Sequence, residues 1–191
     1  MFSVRFHGRG GQGVVTAADL LAAAAFSEDK YAQAFPSFGP ERIGAPVMSF
    51  CRIDDKPIRT HKPVTEPDAI LIQDPTLLHQ ADLFAGLGRE GYILVNSAKD
   101  SPDAECVAGF RRERVLAVPA SWFAMEFLGR PLPGAAMLGG FAALTGAVGI
   151  EGVVAAISGR FSGEVADGNI TVARVAYAFV LDERKALSSH A

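Results

Sequence analysis

The chain is poor in cysteine. Only Cys51 and Cys106 are present among its 191 residues. A protein-bound iron–sulfur cluster needs several thiolates, and a thiol redox site needs a Cys-x-x-Cys pair, so neither is expected in this chain. The four histidines also share no spacing that is typical of a metal site. We therefore expect this chain to bind no metal ion.

Strongly basic segments and long apolar runs are missing as well. The net charge is −3, and the densest basic run, residues 111–114, contains a glutamate and no aromatic side chain, so a nucleic acid is not an expected partner. Residues 1–9 contain no recognisable secretory signal, and the uncharged stretch 134–150 is too rich in glycine and alanine for a membrane span. We expect a cytoplasmic protein with no membrane partner and with both thiols free.

Apolar residues, in contrast, are abundant. They make up 49% of the chain, and charged residues make up 20%. The length of 191 residues suits one well-buried domain, so we expect a single domain over residues 1–191. The apolar share exceeds what a small monomer needs to bury, which predicts contacts with other chains.

A glycine-rich turn lies between an alternating apolar run and a helix-forming segment. It comprises Gly8, Arg9, Gly10, Gly11, Gln12 and Gly13. Glycine permits positive φ angles, and the free N–H groups at the start of the following helix favour a phosphate or a carboxylate. The spacing also matches the dinucleotide-binding pattern, but no carboxylate ends the next predicted strand, where the ribose would lie. A different anion or a partner chain is therefore favoured over NAD, and close packing of helix and strand is the purely structural alternative.

The order of apolar runs and helix-forming segments predicts the fold. Strands are predicted at 3–6, 31–35, 69–73, 92–96 and 115–119, and helices at 14–26, 76–87 and 120–128. This alternation is typical of an α/β protein with a doubly wound, mostly parallel, Rossmann-like sheet. The carboxyl ends of the strands would bring together the glycine turn, residues 36–39, Asp74 and Asn96. Asp74 and Asn96 are candidates for orienting a ligand there or for capping the next helix or turn.

Two further segments complete the predicted architecture. The insertion 41–67 contains the alternating run 47–53 followed by a turn, which predicts an antiparallel edge of the sheet. The last third is helical in period, with helices predicted at 135–148, 151–161 and 168–187. We expect the first of these helices to be tightly packed in the interior or at an interface.

The glycine turn and a second motif together resemble the gamma subunit of the 2-oxoacid:acceptor oxidoreductases, and most closely their pyruvate:ferredoxin branch. The second motif reads Phe-Pro-Ser-Phe-Gly-Pro-Glu-Arg at 35–42 and Gly-Ala-Pro-Val at 44–47. The resemblance extends over essentially the whole chain. It implies a multi-subunit enzyme that decarboxylates a 2-oxoacid on thiamine diphosphate and Mg²⁺ and forms an acyl-coenzyme A. Electrons would pass through 4Fe-4S clusters to ferredoxin or to an NAD-reducing subunit.

The resemblance also implies how the work is divided among the chains. In that family the thiamine cofactor lies between alpha and beta chains, and the clusters lie in beta and delta chains. This chain is accordingly expected to bind none of these cofactors alone and to contain no catalytic residue. A free-standing nucleotide-binding oxidoreductase domain and a purely scaffolding subunit are the alternatives.

Individual residues acquire expected roles from the resemblance. The glycine turn is expected to contact coenzyme A or a neighbouring subunit, with Arg9 and Gln12 as its polar side chains and Arg9 as a candidate for a coenzyme A phosphate. Three residues are expected at an interface, namely Phe38, Glu41 and Arg42. A solvated Glu41–Arg42 ion pair is the alternative. Ile43 stands where the family commonly has a second arginine, which motivates an aromatic substrate such as phenylglyoxylate beside pyruvate.

Overall fold

A mixed sheet of six strands forms the centre of the computed structural model, which describes residues 1–37, 44–80, 82–98 and 104–189. The strands are β1 (Phe2–Arg9), β2 (Tyr31–Pro36), β3 (Pro46–Asp54), β4 (Ala69–Ile72), β5 (Tyr92–Asn96) and β6 (Val115–Val118). Their order in the sheet is β2-β3-β1-β4-β5-β6. β1, β4, β5 and β6 run parallel, whereas β3 is antiparallel to both of its neighbours. The predicted α/β class with a mostly parallel sheet is confirmed.

Helices cover this sheet and form the C-terminal part of the chain. They are α1 (Val14–Phe26), α2 (Ala104–Val107), α3 (Ala120–Leu128), α4 (Gly134–Thr145), α5 (Ile150–Arg160) and α6 (Gly163–Ser189). The predicted bounds of the first helix and of the helix at 120–128 agree with α1 and α3. The three predicted C-terminal helices are present as α4, α5 and α6, each with slightly different ends. Within the described residues no helix combines the length and the apolar character needed to cross a bilayer.

The antiparallel part of the sheet differs in detail from the prediction. The strand of the insertion, β3, lies between β1 and β2, and β2 is the edge strand. The strand predicted at 31–35 is present as β2, but its residues are half-buried or exposed, so its apolar run does not mark a buried strand. The apolar pattern of a single strand does not specify its neighbour, because strand order is set by contacts between distant segments.

The helix predicted at 76–87 is wrong for the residues that the structure describes there. A short 3₁₀ helix, Pro75–Leu77, is followed by turns. Gly86 adopts a φ of +78°, and a Cβ atom at that position would lie 1.8 Å from the carbonyl oxygen of Thr65. A continuous helix is incompatible with this left-handed, closely packed glycine.

The two faces of the sheet are packed differently. On one face, Val4, Phe6 and Leu71 pack in a large core cluster with α1, α3, α4, α5 and α6. On the other face, Ile70 and Ile93 pack in a smaller cluster with the turns that follow β4. All residues from Ala135 to Leu144 of α4 are buried. The prediction of a tightly packed helix in this stretch is confirmed.

Candidate functional site

The glycine turn links β1 to the start of α1. Gly11 and Gly13 adopt φ angles of +94° and +74°, which only glycine adopts without strain. Gly13 is the N-cap of α1, and no side chain caps this helix. The first N–H groups of α1 therefore lack intrahelical acceptors, and the positive end of the helix dipole lies at the same place. This combination suits a phosphate or a carboxylate.

Gly8 lies at a point of close contact between the strand and the helix. A Cβ atom on Gly8 would lie 2.6 Å from Cγ2 of Val14 and 3.0 Å from Oε1 of Gln12. The absence of a side chain therefore lets α1 begin directly above the end of β1. The packing role and the anion-binding role of the turn are compatible, since different glycines serve them.

Arg9 is held against the turn by three contacts of its guanidinium group. Its Nε donates to Oδ2 of Asp74 at 3.1 Å, its Nη1 to the carbonyl of Gly44 at 3.1 Å, and its Nη2 to Oγ1 of Thr76 at 2.8 Å. The side chain is 35% exposed. Arg9 thus fixes the turn to Gly44, just before β3, and to Asp74 and Thr76, just after β4.

Gln12 is held by the same carboxylate. Its Nε2 donates to Oδ2 of Asp74 at 3.0 Å, and its Oε1 accepts the backbone N–H of Arg9 at 2.8 Å. Burial raises the pKa of Asp74, but hydrogen bonds from Thr76 and Gln12 and the charge of Arg9 outweigh it and hold that pKa below its ordinary value. Asp74 is therefore ionised near neutral pH and organises the turn.

The rim residues at the ends of β4 and β5 act as caps. Asp74 accepts the backbone N–H of Thr76 at 3.0 Å and begins the 3₁₀ helix. The side chain of Asn96 accepts the N–H of Ser121 at 3.0 Å and donates to the carbonyl of Gln73 at 2.8 Å. The structure thus brings the glycine turn, Asp74 and Asn96 to one rim, as the sequence predicted, and gives the last two the capping role.

His7 lies next to the turn but faces away from it. Strand alternation places Arg5 and His7 on the face of the sheet opposite to Phe6, and Nε of Arg5 donates to Nε2 of His7 at 3.0 Å. Burial, together with the charge of Arg5, lowers the pKa of His7 to about 3. His7 is therefore neutral near pH 7 and serves as a hydrogen-bond acceptor.

Several predicted residues belong to parts of the chain outside the described ones. Phe38, Glu41 and Arg42, which are expected at an interface, all fall in 38–43, and so does Ile43. Their expected roles stay predictions from the sequence. Cys51 and Cys106 form no disulfide with each other. Within the described segments, no three His, Cys, Asp or Glu side chains lie close enough together to hold a metal ion.

A groove that sequence reasoning missed opens beside the glycine turn. It has a volume of about 540 Å³ and is lined at one part by Gln12 and Gly13. Its apolar walls are formed by Leu20, Phe127, Leu132, Phe161 and Val165. Thr16 and Arg130 add polar groups. These residues come from segments that are far apart in the chain, and no local motif connects them.

The arrangement of strands does not suit a dinucleotide. In a dinucleotide-binding unit the second strand lies beside the first, so that a carboxylate at its end reaches the ribose. Here antiparallel β3 occupies the place beside β1, and β2 lies one strand further out. Residues 31–37 also contain no carboxylate. The turn is thus suited to an anion but lacks the second half of a nucleotide site.

Comparison with known proteins gives a consistent result. A profile of the family described as pyruvate ferredoxin/flavodoxin oxidoreductase matches residues 3–179. The pyruvate/ketoisovalerate oxidoreductases common subunit gamma of Pyrococcus furiosus is 49% identical, over 93% of this chain and 96% of its own length. The pyruvate synthase subunit PorC of Methanothermobacter marburgensis is 45% identical over the same shares of the two chains.

Solved structures agree with the sequence comparison. The pyruvate oxidoreductase subunit PORC of Thermotoga maritima superposes with a TM-score of 0.77 at 36% identity, covering 93% of this chain and 95% of that one. The 2-oxoglutarate:ferredoxin oxidoreductase of Magnetococcus marinus shares the fold, with a TM-score of 0.71 at 19% identity. That match covers 97% of this chain but 31% of the other, so the fold there is one part of a longer chain.

Proposed function

This chain belongs to the pyruvate ferredoxin/flavodoxin oxidoreductase family, and we propose that it is the gamma-type subunit of a multi-subunit enzyme that oxidatively decarboxylates a 2-oxoacid to an acyl-coenzyme A. The observation that carries the proposal is the match to subunits named gamma and PorC, which spans nearly the full length of both partners. The glycine turn with its uncapped helix gives this subunit an anion-binding feature of its own.

The redox and carbanion chemistry of the enzyme is assigned to companion subunits of alpha, beta and delta type. Thiamine diphosphate with Mg²⁺ supplies the carbanion stabilisation there, and 4Fe-4S clusters supply electron transfer. The cysteines of this chain do not fit a cluster, because there are only two. Burial, with the nearby charge of Asp19, also raises the pKa of Cys51, whereas a cluster ligand has to be a thiolate. We assign no catalytic residue to this chain.

The glycine turn is proposed to bind a phosphate of coenzyme A through backbone N–H groups at the start of α1. Arg9 and Gln12 would act mainly by holding the turn, since the polar atoms of both side chains already engage Asp74 and its surroundings. The exposed part of Arg9 would add a positive charge beside the phosphate. The alternative is that the same groups contact an acidic side chain of a neighbouring subunit.

Arg9→Ala in the assembled enzyme separates these two roles. A raised KM for coenzyme A with intact subunit composition supports the ligand role. Loss of subunits with an unchanged KM supports a contact between chains. Arg89, which is exposed on a distant loop, provides the matched control, and Arg89→Ala is expected to change neither quantity. A purely scaffolding subunit predicts no effect of Arg9→Ala on coenzyme A kinetics.

Pyruvate is the first substrate to test, because the relatives are named for pyruvate and for ketoisovalerate. Ferredoxin is the corresponding acceptor, and an NAD-reducing partner is the alternative. The proposal that phenylglyoxylate is a substrate is based on Ile43 alone. Steady-state rates of the assembled enzyme with pyruvate, a branched 2-oxoacid and phenylglyoxylate would rank the substrates, and a strong preference for pyruvate would count against the aromatic one.

A further inference from the structure

Large apolar side chains are exposed around the groove beside the glycine turn. Phe127, Leu132 and Val165 line the groove and are 42–54% exposed. Trp122 and Met125 are 50–59% exposed and precede Phe127 on α3. Residues three apart on a helix share a face, so Trp122 and Met125 continue the apolar surface from the wall residue Leu128 along α3. We call these five exposed residues, together with the groove, the α3 surface.

The composition of the α3 surface is typical of the centre of a protein interface. Tryptophan, phenylalanine, methionine and arginine are enriched in such centres, where a few aromatic anchors contribute most of the binding free energy. Five of the eight large apolar side chains exposed in the described residues belong to this one surface. Single exposed apolar residues are ordinary, but a group of this kind marks a contact site.

Positive charge at the groove comes from Arg130 and from helix N-termini, and Glu164 adds one negative charge. The N-terminal residues of three helices line the groove, with Gly13 and Thr16 from α1, Gly134 from α4, and Glu164 from α6. α1 and α4 have no acidic residue in their first turns, whereas Glu164 supplies one for α6. Arg130 has no ion-pair partner among the described residues. An apolar occupant with an acidic group beside Arg130 and the N-terminus of α4 therefore complements the groove.

The extent of the surface distinguishes a protein from a small ligand. A molecule that fills about 540 Å³ would occupy the groove, but Trp122 and Met125 lie further along α3 and would stay exposed. A polypeptide segment is long enough to cover the groove together with Trp122 and Met125. The related proteins are named as subunits, so a companion chain is available in the proposed enzyme.

We propose that the α3 surface docks a segment of a larger companion subunit, with an apolar side chain in the groove and an acidic side chain directed toward Arg130 and the N-terminus of α4. The proposal rests on the proposed function, because the companion is a subunit of the same enzyme. It assigns the contact to residues other than Phe38, Glu41 and Arg42.

The test is co-purification of companion subunits with a tagged form of this chain. Phe127→Asp introduces a charge at the mouth of the groove and is expected to lower the yield of companion subunits at least tenfold. Phe26→Asp is the matched control, since Phe26 is 76% exposed at the far end of α1, and it is expected to retain them. Arg130→Glu is expected to weaken assembly, and Arg130→Lys to retain most of it.

Folding is checked separately by circular dichroism and by the thermal midpoint of each isolated variant. If Phe127→Asp alters the fold, Trp122→Ala replaces it, because truncating an exposed side chain leaves the core intact. Normal co-purification of Phe127→Asp and Arg130→Glu would overturn the inference while leaving the proposed function intact. Failure of the wild-type chain to retain any companion would instead contradict the proposed function.

Two other results would assign the groove to a different occupant and so overturn the inference. One is normal assembly of both variants with a raised KM for coenzyme A, which would make the groove part of a ligand site. The other is a dimer of the isolated wild-type chain that Phe127→Asp converts to a monomer. That result would assign the α3 surface to a second copy of this chain.

Discussion

Nε of Arg9, at the end of β1, donates to Oδ2 of Asp74, just beyond the end of β4, at 3.1 Å. The two residues are 65 positions apart, and the ion pair joins the glycine turn to the neighbouring parallel strand. Gln12 donates to the same carboxylate oxygen. One carboxylate therefore orders the turn whose backbone N–H groups we propose as the anion-binding element.

Asp74→Asn is expected to loosen the glycine turn. An amide of the same size carries no charge for Arg9 and accepts with only one oxygen, so the partly buried network around this residue loses part of its hydrogen bonding. The expected loss is about 1–3 kcal/mol in the free energy of unfolding, with a higher KM for coenzyme A in the assembled enzyme. Denaturant unfolding and steady-state kinetics measure the two effects.

Asp82→Asn is the control for that substitution, because Asp82 is exposed. It is expected to leave stability and kinetics unchanged. If Asp74→Asn and Asp82→Asn had the same free energy of unfolding and the same KM for coenzyme A, Asp74 would not order the glycine turn.

Gly13→Ala is expected to strain the start of α1. No atom lies within 4 Å of a Cβ at this position, so the cost comes from the backbone φ of +74° and amounts to about 1–2 kcal/mol. Gly13→Asn tolerates this conformation better and is expected to cost less than alanine. Thermal unfolding of the two variants tests the order, and a smaller loss for alanine would contradict the observed geometry.

Gly139→Ala is expected to disrupt the packing of α4 against α6. The added Cβ would lie 2.0 Å from the carbonyl oxygen of Ala173, so the two helices would have to separate. The expected cost is about 3 kcal/mol or more. Gly159→Ala, in α5 with open space around it, is the control and is expected to stabilise the chain by about 0.5–1 kcal/mol. Similar thermal midpoints for the two variants would show that α4 and α6 are not in close contact.

His7 is expected to make the chain less stable as the pH falls. Its pKa is about 3 in the folded chain and has the ordinary value of 6.5 in the unfolded chain, so below pH 6.5 the unfolded state takes up a proton that the folded state refuses. Stability is therefore full above pH 6.5 and declines toward pH 3, by up to about 1.4 kcal/mol per pH unit from this group. Denaturant unfolding between pH 6.5 and about 4.5 measures the slope.

His7→Gln removes the titration but keeps an acceptor for Arg5. Its stability is expected to decline less steeply over the same pH range than that of the wild type. If the free energy of unfolding fell equally steeply with pH in both proteins, His7 would not be held in a buried, neutral state in the folded chain.

Local sequence signals predicted the helices whose ends are marked by a glycine. α1 begins after Gly13 in a left-handed conformation, and α3 ends at Gly129 in the same conformation. Glycine in such positions is visible in the sequence, and the predicted bounds of both helices agree with the structure. The rim that joins the glycine turn, Asp74 and Asn96 was also predictable, because parallel strands end at one edge of a sheet.

Features that depend on distant segments were not predictable in the same way. The position of β3 between β1 and β2 follows from its pairing with both strands, as in the register of Val4 with Cys51. The Arg9–Asp74 ion pair depends on the register of β1 with β4. The groove depends on the meeting of α1, α3, α4 and α6, and neither Phe127 nor Arg130 carries a local signal for it.

The central claim is that this chain completes a larger 2-oxoacid oxidoreductase and has no turnover alone. The most direct test measures pyruvate- and coenzyme A-dependent reduction of ferredoxin by the isolated chain, by the companion subunits without it, and by the reconstituted complex. The account predicts no activity for the isolated chain, and activity that appears when the chain is added to its companions. Oxidation of a 2-oxoacid by the isolated chain, or full activity of the companions without it, would contradict the account.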